Sequence, residues 1–489
     1  MIGSPRSPDG ASLHFREISV SDHSHNDRSA TLLCVDVGTS AIKAALMRYD
    51  GTCAHFEYER LPVEAHDADR FTAGLWMTHF SRLLRRMMGR ETITGVVISG
   101  NGPTIVAVDR KGREVEPVML WFDGRELRIS GEPSFFLPKI AWFAETFPRR
   151  FASVALLLSC PEYLSYRLTG EACTISPSDE FSSFIWTPDG IARYGLDPSL
   201  FPPIVSCGTV IGAVQPAIAA ELGIPDGVPV IAGGSDFLMS LLGTATVLPG
   251  RTCDRAGTSE GINHCSATVV DDPRLRCLPH AVAGRYNVAG ILSSTGRIFE
   301  WFREISGQTS VAYADILEAI TALPFDRHIP WFFPSMHRGA AWEFSRGMFI
   351  ELGAQHGVAE MGRAVVESIG YAVRESVDIL EENGCAIDEL RVSGGQAKNG
   401  PWNQMKADMI GKPIIVGQIA DAEIVGNACA GLVGLGRYAR LDEAAEALYR
   451  VSARYEPDPA RHRRYRDGYD RYQQAYAAFR RALADTGSP

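Results

Sequence analysis

The stretch Leu32-Leu33-Cys34-Val35-Asp36-Val37-Gly38-Thr39-Ser40-Ala41-Ile42-Lys43 is a short apolar run that ends in aspartate, turns on glycine and resumes. Leu32 to Val37 has the length and content of a buried strand, and Ala41 to Tyr49 reads as a second. Gly38, Thr39 and Ser40 make the turn between them, with Lys43 just beyond. A carboxylate at a strand end, here Asp36, can hold a magnesium ion, usually through water. A Gly-Thr-Ser turn lets backbone amides and hydroxyls approach phosphate oxygens. An ordinary hairpin uses the same residue types, so this stretch alone leaves both readings open.

Outward from it, Cys53 to Tyr58 predicts a third strand. Phe71 to Met88 predicts a helix on the spacing of Leu75, Phe80, Leu83, Leu84 and Met87. Gly95 to Ser99 and Thr104 to Val108 are again strand-like. The order β-β-β-α-β suits a mixed sheet that begins with a hairpin. A second half begins near Gly250. Its clearest helix is Ala359 to Asn383, with Gly384 placed to stop it. Glu389 to Ser393 predicts a strand running into Gly394-Gly395, then a helix over Pro401 to Ile410 and a short strand over Ile414 to Val416. Ile424 to Leu435 predicts a closely packed, Ala/Gly-rich helix, and the basic, Tyr-rich Ala460 to Leu483 a surface helix. Each half contains a strand that ends in a glycine turn, which hints at duplication without showing it.

A length of 489 residues exceeds one ordinary core and suggests two domains. The expected division is a disordered polar extension over 1–30, domains over 31–249 and 250–445, and a helical segment over 446–489. A net charge of −10 argues against a nucleic-acid partner, which calls for a basic stripe. The ten cysteines have no C-x-x-C spacing, so neither zinc nor a disulfide framework is signalled. Free thiols in a reducing cytoplasm are the simpler expectation. No apolar run approaches the roughly 20 residues that span a membrane, and the polar first 30 residues lack a signal peptide's apolar stretch.

Three further motifs carry chemistry. In Gly233-Gly234-Ser235-Asp236, the glycines let a substrate approach the backbone, and Asp236 can accept a proton from a substrate hydroxyl. It can equally cap a helix that begins at Phe237. Gly257-Thr258-Ser259-Glu260-Gly261 matches the G-x-S-x-G of serine hydrolases, which needs a buried strand before it and a helix after it. Here Arg251 to Arg255 is polar and Ile262 to Cys265 does not read as helical, so a second phosphate-binding turn fits better. Val392-Ser393-Gly394-Gly395-Gln396-Ala397-Lys398-Asn399 can admit the face of a base or ribose, or simply connect a strand to a helix. Neither a G-x-x-x-x-G-K-[ST] loop nor a G-x-G-x-x-G fingerprint occurs.

In this order and spacing, the four motifs resemble the FGGY carbohydrate kinases, the family of glycerol kinase, xylulokinase and ribulokinase. The resemblance runs from about Thr31 to Arg437. It takes in Ser99-Gly100-Asn101-Gly102-Pro103, Leu120-Trp121-Phe122-Asp123-Gly124-Arg125, Leu168-Thr169-Gly170-Glu171, Arg363-Ala364-Val365-Val366-Glu367 and Glu423-Ile424-Val425-Gly426-Asn427-Ala428. It implies an α/β fold of two ribonuclease-H-like (actin-like ATPase) domains facing a central cleft, the sugar mainly on the first and ATP mainly on the second. By motif match, Asp236 would be the catalytic base, and Asp36 with Asp236 would hold Mg2+. Gly38, Thr39, Ser40, Lys43, Gly257, Thr258 and Ser259 would face the phosphates. Gly394, Gly395, Gln396 and Asn399 would border the adenosine. Asn101, Gly102, Asp123 and Phe237 fall where relatives line the sugar site. The expected activity is ATP-dependent phosphorylation of a pentulose or polyol by a cytoplasmic kinase, with a homodimer left open. The rival expectation is a catalytically inactive actin-like nucleotide sensor. Two departures stand out: Asn101-Gly102-Pro103 replaces the Gln-Met-His of many members, and Ser335-Met336-His337-Arg338-Gly339-Ala340 stands near their Gly-Glu-Arg-x-Pro loop without matching it.

Overall fold

The computed structural model describes residues 30–62, 71–87, 89, 91–257, 259–335, 344 and 347–485. The expected extension, Thr258 and the 336–340 segment therefore lie outside the described residues, apart from Ala30. The chain forms two compact units. The first runs up to Gly243 and includes Ala281–Ala283 and Glu423–Leu448; the second takes Thr244–His280, Gly284–Ala422 and everything from Tyr449.

The first unit is built on a six-stranded sheet. Its order is Val210–Ala213, Pro229–Ser235, Thr92–Gly100, Ala30–Val37, Ala41–Arg48, Cys53–Arg60. Ala30–Val37 pairs antiparallel with Ala41–Arg48 and parallel with Thr92–Gly100, which in turn pairs parallel with Pro229–Ser235. Successive side chains of a strand point to opposite faces. On Ala30–Val37, Leu33, Val35 and Val37 therefore join one core with Trp76, Phe80, Leu83 and Leu84 of the Gly74–Met87 helix. Leu32, Cys34 and Asp36 face the other way, where the Ala422–Gly434 helix lies. Three glycines permit its close approach. A Cβ at Gly431 would come within 2.6 Å of Leu32, one at Gly434 within 2.7 Å of Ile231, and one at Gly426 within 2.0 Å of the Met239 carbonyl. Thr104 to Val108, expected as a strand, contributes to Ile105–Asp109 in a separate three-stranded sheet with Glu114–Met119 and Val154–Leu158.

The second unit holds a seven-stranded sheet in the order Arg276–Pro279, Tyr286–Leu292, Glu260–Ser266, Thr252–Ala256, Leu390–Ser393, Ile414–Gly417, Val451–Tyr455. Its last six strands repeat the first sheet's pairing from edge to edge: two antiparallel pairs, two parallel pairs and a closing antiparallel pair. The duplication hinted at by the glycine turns is thus present as repeated topology. Two local expectations change. The polar 251–255 segment lies in a largely buried strand, because Asp254 is neutralised inside the core. After the turn comes another strand, Glu260–Ser266, where a hydrolase elbow requires a helix. The Pro459–Asp485 helix is not merely superficial: Tyr465, Tyr469, Tyr472 and Tyr476 recur at helical spacing and are buried in the second core. All ten cysteines are free thiols.

Candidate active site

In open α/β sheets, ligands bind beyond the carboxyl ends of parallel strands. In the first unit three such ends align. Asp36 is level with Ser99, Ser99 with Gly234, and Gly100 with Ser235, one residue before Asp236. The Asp36 carboxylate is buried and accepts a hydrogen bond from Ser99 Oγ at 2.8 Å. Ser99 Oγ in turn accepts from Asn427 Nδ2 at 2.9 Å, and the same amide donates to the Val35 carbonyl at 2.8 Å. Glu423, in the first turn of the same helix as Asn427, accepts from Ser240 Oγ at 2.9 Å and lies 4.0 Å from Lys43 Nζ. Burial, then the charge of Glu423, and more weakly that of Asp236, push the Asp36 carboxyl up to about 7, against the pull of Lys43 and Ser99. Sequence reading passed over Ser99, Glu423 and Asn427 as site residues, although all three stand in the quoted motifs.

Asp236 is half-buried and opens the Asp236–Gly243 helix, with Oδ1 accepting from the Phe237 amide at 2.7 Å. The Phe237 ring packs 6.5 Å from that of Phe181. The turn after Asp36 is closed by Gly38 N–H donating to the Ala41 carbonyl at 2.9 Å, and Trp121 Nε1 donates to Thr39 Oγ1 at 2.9 Å. Ser40 is exposed at the tip. Asn101 spends its side chain on the loop: Nδ2 donates to the Val37 carbonyl at 3.3 Å, and Oδ1 accepts from Thr104 Oγ1 at 2.7 Å. Gly102 comes next, partly exposed. Asp123 does not end a strand. The strand stops at Met119, and Asp123 N–H closes a turn onto the Leu120 carbonyl at 3.0 Å. Burial acts to raise its pKa, but hydrogen bonds from Arg125, at 2.9 Å from Nε and 2.5 Å from Nη2, hold it below the ordinary value. Behind it, Lys139 Nζ donates to the Leu120 and Trp121 carbonyls, and burial lowers its pKa to about 8.

In the second unit the two remaining motifs meet. Gly257 N–H closes the hairpin onto the Ser259 carbonyl at 2.9 Å. The parallel neighbour of its first strand ends at Ser393, and Gly394 comes next at φ +87°, where a Cβ would stand 2.3 Å from the Ala256 carbonyl. Only glycine fits there, both for its φ and for its space. Gly395 is exposed, with open space where a Cβ would be. Gln396 Oε1 accepts from Trp402 Nε1 at 2.9 Å, and Asn399 Oδ1 caps the Gly400–Ile410 helix by accepting from Trp402 N–H at 2.9 Å.

The carboxylates of the first unit suit a hard cation. Buried like charges repel, and a divalent ion relieves them. Among the described residues no group of three or more His, Cys, Asp or Glu side chains could hold a metal ion by itself. Magnesium does not require such a group, since it commonly takes one or two carboxylates and completes its shell with water and phosphate oxygens.

Comparison with known proteins gives a consistent picture. Residues 126–243 match the N-terminal domain of the FGGY family of carbohydrate kinases, and residues 255–435 its C-terminal domain. A xylulose kinase of Bacillus subtilis is 24% identical over 479 residues, covering 90% of this chain and 96% of that one. An autoinducer-2 kinase of Enterobacter sp. is 26% identical over 509 residues, covering 93% and 96%. The crystal structure of a xylulose kinase from Rhodospirillum rubrum superposes with a TM-score of 0.76 at 23% identity, covering 93% of this chain and 99% of that one.

Proposed function

This chain belongs to the FGGY family of carbohydrate kinases, with their two-domain actin-like fold, and on that premise we propose that it transfers the γ-phosphoryl group of ATP to a hydroxyl of a pentulose or polyol. The observation that carries this reading is that Asp36 and Asp236 stand at the carboxyl ends of two parallel strands separated only by Thr92–Gly100, beside the Gly38-Thr39-Ser40 turn. Asp236 orients the attacking hydroxyl and accepts its proton as the new O–P bond forms and the bond to the leaving ADP breaks. Asp36 and Asp236 would hold magnesium, which supplies neutralisation of the phosphate charge. The Gly257–Ser259 and Gly394–Asn399 turns take the nucleotide: backbone amides meet the phosphates, and the Gly394-Gly395 backbone offers a flat approach to the nucleoside.

The sugar meets a wall with few side-chain donors, since Gly102 and Pro103 carry none. Selectivity therefore rests on the side chains of Asn101 and Asp123, the latter held by Arg125. A site built to pair with hydroxyls rejects analogues that lack them. Relatives are named xylulose kinase and autoinducer-2 kinase; for this chain a pentulose or polyol other than xylulose is the preferred acceptor. The test is an ADP-release assay with Mg-ATP across a panel of pentuloses, pentitols and xylulose. Acceptor-dependent turnover supports the reading, best turnover with xylulose overturns the selectivity, and no turnover with any acceptor overturns the activity.

A further inference from the structure

Lys406 lies on the Gly400–Ile410 helix with no exposed side-chain surface. Its ammonium stands 2.5 Å from Asp254 Oδ2 and 2.7 Å from Glu260 Oε1, and both carboxylates are as fully buried as it is. Taking three ions out of water costs several kcal/mol each, and well-packed apolar residues often serve stability as well. A cluster of this kind is therefore better explained by what it positions.

Its place points to the nucleotide turns. Asp254 and Glu260 sit on the two strands that flank Gly257–Ser259. The register pairs Asp254 with Ile262 and Ala256 with Glu260, which puts both carboxylates on one face beneath the tip. Four residues before Lys406 on its own helix is Trp402, which donates hydrogen bonds to Asn399 and Gln396 of the other turn and whose ring lies 5.2 Å from the ammonium. Lys406 thus joins the underside of one turn to the helix that carries the next. Two carboxylates against one ammonium leave a surplus negative charge. Burial and then the charge of Glu260 push the Asp254 carboxyl up, against the pull of Lys406.

We infer that Lys406 is a positioning residue that fixes the Thr252–Ala256/Glu260–Ser266 hairpin, which presents Gly257 and Ser259, against the Gly394–Asn399 turn and so sets nucleotide affinity without touching the nucleotide. The inference rests on the reading above that these two turns hold ATP. The experiment measures Mg-ADP binding by calorimetry and Tm on the full chain. Lys406→Met alone strands two buried carboxylates and is expected to unfold or lose much of its Tm. The informative variant is the neutral triple Asp254→Asn, Glu260→Gln, Lys406→Met, which leaves no buried charge. Its Tm is expected to return to near wild type while Mg-ADP binds about tenfold more weakly, at the low end of the ~10–100-fold that loss of a supporting partner costs a held group. A triple variant with wild-type Tm and wild-type Mg-ADP affinity would overturn the inference and leave the cluster a purely structural one. A wild-type protein that binds no Mg-ADP would instead overturn the nucleotide reading, and the inference with it.

Discussion

Asp36 sits under two opposed demands. Its hydrogen bond from Ser99 favours the charged form, while burial and the neighbouring Glu423 and Asp236 disfavour it. A cation would resolve the conflict, which is the ground for the proposal that Asp36, with the more open Asp236, holds magnesium while Asp236 takes the proton. Asp236→Asn is expected to lower kcat by about 10²-fold or more, the usual scale for a positioned proton acceptor, with Mg-ADP affinity little changed. A variant with near wild-type kcat would return Asp236 to the role of a helix-start residue. Asp36 and Asp236 were legible because a strand end and glycine turns mark them locally. Glu423 and Asn427 were not, because their partners Ser240, Ser99 and Val35 lie far away in sequence. Asn427→Ala leaves the buried Val35 carbonyl without that donor, a loss of about 1–3 kcal/mol. Urea unfolding monitored by circular dichroism should register it, and an unchanged midpoint would mean the amide bonds contribute little.

Elements were read best where periodicity spoke for itself. The Val358–Glu382 and Gly74–Met87 helices and the opening hairpin lie within a few residues of their expected places. Reading failed where burial depends on a distant partner: Thr252–Ala256 looks polar until Lys406 neutralises it, and the Tyr-rich helix looks superficial until its tyrosines meet Phe333 and Tyr371. The Cys160–Thr169 helix carries a consequence of the same kind. Glu162 closes its capping box by accepting from Ser159 N–H at 2.6 Å, and also accepts from Ile175 N–H at 2.6 Å. Burial outweighs both donors and raises the carboxyl from 4.5 to about 7. The folded state therefore keeps a proton that the unfolded chain releases near 4.5. Stability from this group is greatest below that pH, falls as pH rises towards 7, and is level above, by up to roughly 3 kcal/mol. Chemical denaturation between pH 5 and 8 should show a steeper decline for wild type than for Glu162→Gln. Parallel pH profiles would show that the carboxyl ionises normally.

At the scale of the whole molecule, the repeated sheet order was visible in sequence only as two glycine-turn motifs, and the path of the chain between the units was not visible at all. Nothing local in 423–448 says that it rejoins the first unit, yet the face of that sheet bearing Leu32, Val97 and Ile231 is covered by its helix. Those three side chains have no exposed surface, and burying each contributes about 2 kcal/mol. The helix adds the Asn427 hydrogen bonds to Val35 and Ser99, so its removal both bares apolar surface and breaks buried polar pairs. Against a typical net stability of roughly 5–15 kcal/mol, a loss on that scale is decisive. A fragment ending at residue 249 is therefore expected not to fold, even though it holds every strand of the first unit's main sheet. The same fragment joined through a flexible linker to residues 422–448 should regain a cooperative unfolding transition. Near-ultraviolet circular dichroism and urea titration of the two fragments check this. A shorter fragment that unfolds as cooperatively as the longer one would show that the first unit is complete without the returning helix.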